Sequence, residues 1–146
     1  MAQFNSKHGI VSAPQMALFM AFTDMRNFVN MLPEDKKQGV TADFDTLRGN
    51  VSGFDIGVRI TAREPYKYIE IQDDGAPFHF TMSLHFEPAG EANKTDFSIV
   101  VEAELNMMLK IMIGNKINEA LDSIVDSLVA MSEGRRPEGM PEDFHL

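Results

Sequence analysis

The chain has 146 residues, about one domain's worth, and with 44% hydrophobic and 24% charged residues it can fold on one core without staples. It has no cysteine, which excludes disulfides, thiolate metal sites and thiol catalysis. With 13 Lys and Arg against 22 Asp and Glu, the net charge is −9, so no basic footprint exists for nucleic acid or an anionic membrane surface.

The stretch Met1–His8 lacks the apolar core of a secretory signal. No apolar run reaches the roughly 18 residues of a membrane span. The expectation is a cytoplasmic protein with no membrane insertion. Residues 3–9 read as a short edge strand. Ser12-Ala13-Pro14-Gln15 reads as a capping box, with Ser12 as N-cap and Gln15 reaching back to it. It opens a first helix carrying Met16, Leu18, Phe19, Met20 and Phe22. Thr23-Asp24 caps a second short helix from Met25 to about Met31, which Pro33 and the charged run 34–37 end.

From Val40 to Leu105 the apolar period is two. A turn at Ser52-Gly53 pairs Val51 with Phe54 and puts Leu47, Val51, Phe54, Ile56, Val58 and Ile60 on one face. A turn at Glu64-Pro65 pairs Arg63 with Tyr66. That register sets Ile69 opposite Ile60, Ile71 opposite Val58 and Glu70 opposite Arg59. After a turn at Asp73–Pro77, Phe78, Phe80, Met82, Leu84 and Phe86 alternate with His79, Thr81, Ser83 and His85. After a loop over 88–93, Phe97, Ile99, Val101, Ala103 and Leu105 alternate with Asp96, Ser98, Glu102 and Glu104. Such alternation means one buried face and one wet face.

The period then becomes 3.6. A long helix runs from Asn106 to about Met131, with Ile113, Ile117, Ala120, Leu121, Ile124, Leu128 and Met131 as its apolar stripe. Residues 1–134 read as a single domain. The tail 135–146 has little to bury and is expected to be flexible.

The pattern predicts an α+β fold: a sheet of about six antiparallel strands with two short helices after the first strand and one long C-terminal helix. A helix of about 26 residues is about 39 Å long, and a ten-residue strand about 33 Å, so one matches the other. A single helix cannot cover six flat strands, so the sheet must curl around it. A space is left between sheet, helix and lids.

This order resembles the START-like helix-grip superfamily (SRPBCC), which includes the polyketide cyclase/dehydrase-like proteins and the birch-pollen-allergen (Bet v 1-like) fold. The resemblance is carried by Val11-Ser12-Ala13-Pro14, Phe22-Thr23-Asp24-Met25, the Val51-Ser52-Gly53-Phe54 hairpin and the Asn106–Met131 helix. It implies an internal cavity for an apolar small molecule. Members of the superfamily include enzymes, lipid or hormone carriers and modules that bind protein partners, and fold does not choose among these.

The candidate ligand-binding residues are Phe54, Phe80, Met82 and Phe97 on the sheet and Met107, Met108 and Met112 at the helix start. Large flexible groups of this kind adapt to varied apolar guests. Lys67, Asn106 and Lys110 are candidates for a polar rim that orients a ligand's polar end. His79 and His85 share the wet face about 20 Å apart. His8 and His145 lie on the edge strand and in the tail. No HxH or HExxH spacing occurs, so no metal site and no cofactor are expected. No carboxylate has inward parity, and Ser83 and Ser98 lack a nucleophile elbow, so no catalytic residue is assigned.

The resulting expectation is non-catalytic binding of a small apolar or amphipathic molecule. The alternatives are a polyketide cyclase/dehydratase-like enzyme using the same cavity and a protein-interaction module. Edge strands leave homodimerisation open.

Overall fold

The computed structural model describes residues 2–31, 34–51 and 53–134. The chain runs β1 (Ala2–Asn5), β2 (Gly9–Val11), α1 (Gln15–Phe22), α2 (Arg26–Met31), α3 (Glu34–Lys37), β3 (Thr41–Ala42), β4 (Thr46–Val51), β5 (Phe54–Glu64), β6 (Tyr68–Asp73), β7 (Phe80–Pro88), β8 (Thr95–Ala103) and α4 (Met107–Ser132). The strands form one antiparallel sheet in the order β1-β8-β7-β6-β5-β4-β3, with β2 also on β8. The α+β architecture with one long C-terminal helix agrees with the sequence pattern. The tail 135–146, with His145, lies outside the described residues.

The edge strand is broken where one strand was expected. β1 and β2 both pair with β8, and the chain between them is stitched by Ser6. The buried Ser6 hydroxyl accepts a hydrogen bond from the Ile99 N–H at 2.8 Å, and Ser6 N–H donates to Ile99 O at 2.9 Å. The chain thus bends without orphaning backbone groups.

The β4–β5 hairpin has the expected register, Val51 opposite Phe54. The β5–β6 hairpin does not. Ile60 lies opposite Ile71, two residues from the expected pairing, and the register shifts again between Ile60 and Ala62. The turn is longer than two residues because Tyr66 takes a left-handed φ of 67°. Its ring rests edge-on against Phe19 at 5.7 Å, and its carbonyl accepts from the Gln15 side chain. Thr61 is the extra residue of a bulge. The two-residue slip keeps Ile60, Ile69 and Ile71 inward, and all three are buried. Glu70 consequently faces Ala62, and its carboxylate accepts from Thr61, Tyr68 and Gln72 rather than Arg59.

The capping box does not form. Pro14 is the N-cap of α1 and makes no side-chain cap bond, and Gln15 instead donates to Tyr66 O and Phe86 O. Asp24 does cap the next helix, accepting from Arg26 N–H at 3.0 Å. The charged run expected to end the helices forms a further turn, α3. Glu34 and Asp35 suit its positive N-terminal end, and Lys37 pairs with Glu34 at 3.0 Å.

Asn106 caps α4, its side chain accepting from Leu109 N–H at 2.8 Å. The helix packs mainly on β2, β1 and β8. Its most buried line is Gly114, Leu121 and Val125, which keeps Leu121 from the expected stripe but is rotated to one side of the rest of it. Ile124 is left 45% exposed as a result. α1 closes on β6 and β7, and α2 on β3.

Candidate functional site

With α4 seated over the β1/β2/β8 side, the rest of the concave face is roofed by the lid helices. A cavity of about 260 Å³ remains between them. Phe22, Met25 and Phe28 of the lids form one wall. Leu47, Val58 and Ile71 on β4–β6 form the floor toward one side. Phe80, Met82, Leu84, Phe97 and Ile99 on β7 and β8 form the other. Ile124 reaches in from α4. Every lining side chain is apolar, and Phe22 stacks on Phe97 at 5.8 Å and lies 5.4 Å from Phe28. The floor follows from strand alternation: Phe80, Met82 and Leu84 share one parity, as do Phe97 and Ile99.

Of the sequence candidates, Phe80, Met82 and Phe97 line this cavity. The Phe54 side chain lies outside the described residues. Met107, Met108 and Met112 are not among the lining residues; they are 80%, 70% and 61% exposed. The reason is helical phase: when Gly114, Leu121 and Val125 face the sheet, residues 108 and 112 point away. Met107 lies near the sheet-facing phase but at the first residue of α4, where it stays exposed.

The expected polar rim is also placed elsewhere. Lys67 sits exposed in the β5–β6 turn, 3.8 Å from Glu64, because that turn is longer than expected. Asn106 is occupied as a helix cap, and Lys110 lies on a shallow groove between β1 and α4.

The polar group at the lid end is one the sequence reading missed. The Thr61 bulge reverses parity beyond it, so Arg63, opposite Ile69, turns toward the lid. Its Nε donates to Thr23 Oγ1 at 2.6 Å, and its Nη2 donates to Thr23 O at 2.8 Å and to Asp45 Oδ1 at 2.6 Å. Its guanidinium carbon lies 4.6 Å from the centre of the Phe44 ring. A bulge leaves little trace in a hydrophobic pattern. The only sequence signal was an arginine beside a Pro-Tyr turn. Next to Thr23, the Asp24 carboxyl is held below the usual range by the Arg26 side chain, which forks onto both its oxygens.

A larger hollow of about 530 Å³ around the β3–β4 turn is shallow and charged. Arg48 and Arg59 there share Asp74, at 3.9 and 3.5 Å. On the outer sheet face, His85 bonds Ser83 at 2.9 Å, and His79 bonds Asp73 at 3.0 Å. His8 pairs with Asp96 at 2.8 Å. Among the described residues no group of three His, Cys, Asp or Glu could hold a metal ion, and no helix is long and apolar enough to cross a membrane.

No family model matches the chain, and no curated protein does. Solved structures do. A Thermobifida fusca protein superposes with a TM-score of 0.70 at 11% identity, covering 93% of this chain and 97% of that one. Norcoclaurine synthase from Thalictrum flavum superposes with a TM-score of 0.65 at 11% identity, covering 89% of this chain and 85% of that one. The fold is helix-grip. The Aha1 dimer from Colwellia psychrerythraea shares it, with a TM-score of 0.59 at 16% identity over 88% of this chain and 97% of that one. At these identities the likeness is one of fold alone.

Proposed function

We propose that the protein binds a small apolar or amphipathic molecule in the cavity between sheet, lids and α4, without covalent chemistry. The observation that carries this reading is the wholly apolar lining of a 260 Å³ space. Apolar cavities hold water poorly, and one of about 150 Å³ already takes a benzene. This one has room for a larger apolar group, such as two fused rings or a short chain. Phe80, Met82 and Phe97 would contact it, together with Phe22, Met25 and Ile124 of the same lining. Proton transfer needs an ionisable group within reach of the reacting atoms. The described lining offers none, which favours holding over the cyclase or dehydratase chemistry open to this fold. Self-association is a separate part of the proposal. It rests on the outer edge of β1, which pairs with no further strand among the described residues, and sedimentation velocity tests it.

Native mass spectrometry of freshly purified protein, followed by titration with the dye anilinonaphthalene sulfonate, tests the ligand reading. A co-purified small molecule or saturable dye binding at one site is expected. Neither appearing would overturn it.

A further inference from the structure

We propose that Arg63 is the clasp that holds the lid closed over the cavity and sets how fast a guest enters and leaves; the guest's part in this rests on the ligand-binding reading above. Thr23 is the junction between α1 and α2, and the residues on either side of the junction, Phe22 and Met25, are cavity wall. Apart from Gln15 at the start of α1, which donates to Tyr66 O and Phe86 O, most of the lid's contact with the sheet is apolar and non-directional. At the junction it is directional. Arg63 grips both the hydroxyl and the carbonyl of Thr23, and the carbonyl belongs to the C-terminal end of α1, where a cation is favoured. The same guanidinium reaches Asp45 and covers Phe44. Phe44 in turn accepts from the Met25 N–H at 3.1 Å. One side chain from β5 therefore joins the lid junction to the β3–β4 turn. Thr23 is 6% exposed, whereas the Arg63 and Asp45 side chains are 26% and 50% exposed. Water can reach the outer half of the clasp, so it can open without unfolding the sheet.

The test compares the intact protein with Arg63→Met, which keeps an unbranched stem and removes the fork. Two readouts are used: the stopped-flow dissociation rate of anilinonaphthalene sulfonate, and hydrogen exchange of the Met25 amide. Both are expected to rise about tenfold, as for the loss of charge-assisted hydrogen bonds. Unchanged Met25 exchange would overturn the clasp whatever the dye does. Faster exchange with an unchanged dissociation rate would overturn its role as a gate. If the unmodified protein binds no dye, the ligand reading and with it the gate fail, and Met25 exchange alone then decides whether the clasp exists. Should Arg63→Met not fold, Thr23→Val, which keeps shape and removes one acceptor, is expected to move both readouts in the same direction by a smaller factor. No change in either with Thr23→Val would overturn the proposal.

Discussion

Gly9 lies directly beneath Val125: a Cβ placed on Gly9 would come within 2.5 Å of Val125 Cγ1 and 2.8 Å of Val129 Cγ2. The missing side chain is what lets α4 settle onto the broken edge strand. Gly9→Ala is expected to destabilise the fold by about 1–3 kcal/mol through overpacking, read as a lower urea midpoint at unchanged slope. An unchanged midpoint would mean that α4 can shift outward at no cost.

Ser6 supplies the acceptor for the buried Ile99 N–H where β1 gives way to β2. Ser6→Ala leaves that donor without its partner. A loss of about 1–3 kcal/mol is expected from chemical denaturation, with faster amide exchange at Ile99.

Val58 and Met112 separate the cavity from the outer helix surface. Val58 lines the cavity, while Met112 is 61% exposed. Val58→Trp is expected to abolish dye binding by filling the space, and Met112→Trp to leave it unchanged. Equal loss in both would place the dye outside the cavity.

The His79–Asp73 pair sets a pH dependence. A hydrogen bond and the charge of Asp73 raise the His79 pKa. For Asp73, burial works upward, but the Phe80 N–H and His79 outweigh it and the net direction is down. The raised histidine contributes stability below its ordinary value of about 6.5, lost as pH rises through the folded pKa. The lowered carboxyl contributes above its ordinary value of about 3.9, lost as pH falls through the folded pKa. The pair thus stabilises most in weak acid, between those two values. His79→Gln should flatten the fall in Tm between weakly acidic and weakly alkaline buffer. A fall identical in both proteins would remove the pair from the account.

Much of the fold was legible because strand parity and helix period are written in side chains. Phe80, Met82, Leu84, Phe97 and Ile99 could be assigned inward from alternation alone, and they form one side of the cavity. The Val51–Phe54 pairing followed from Ser-Gly turn chemistry. What escaped was whatever depends on backbone irregularity or on helix rotation. The turn at Tyr66 moved the β5–β6 register by three and the Thr61 bulge took one back, a net shift of two, so the isoleucines stayed inside and the pattern gave no warning. On α4, the stripe through Ile113, Ile117 and Ile124 and the line through Gly114, Leu121 and Val125 are neighbours on one broad apolar face. Packing chooses between them, with Val125 against Gly9 and Gly114 against Phe4. The apolar first turns of that helix suggested a cavity wall, yet Met107, Met108 and Met112 sit in solvent.

The single additional residue at Thr61 has a genetic corollary. Deleting one codon there would restore regular pleating along β5 and leave Ala62 on the outer surface and Arg63 on the inner one, because Ile60, Ala62 and Arg63 already alternate once the extra residue is discounted. Homologues one residue shorter in the span between Arg59 and Glu64 would then be expected to keep an inward arginine, and to fasten the lid over the guest as this chain does.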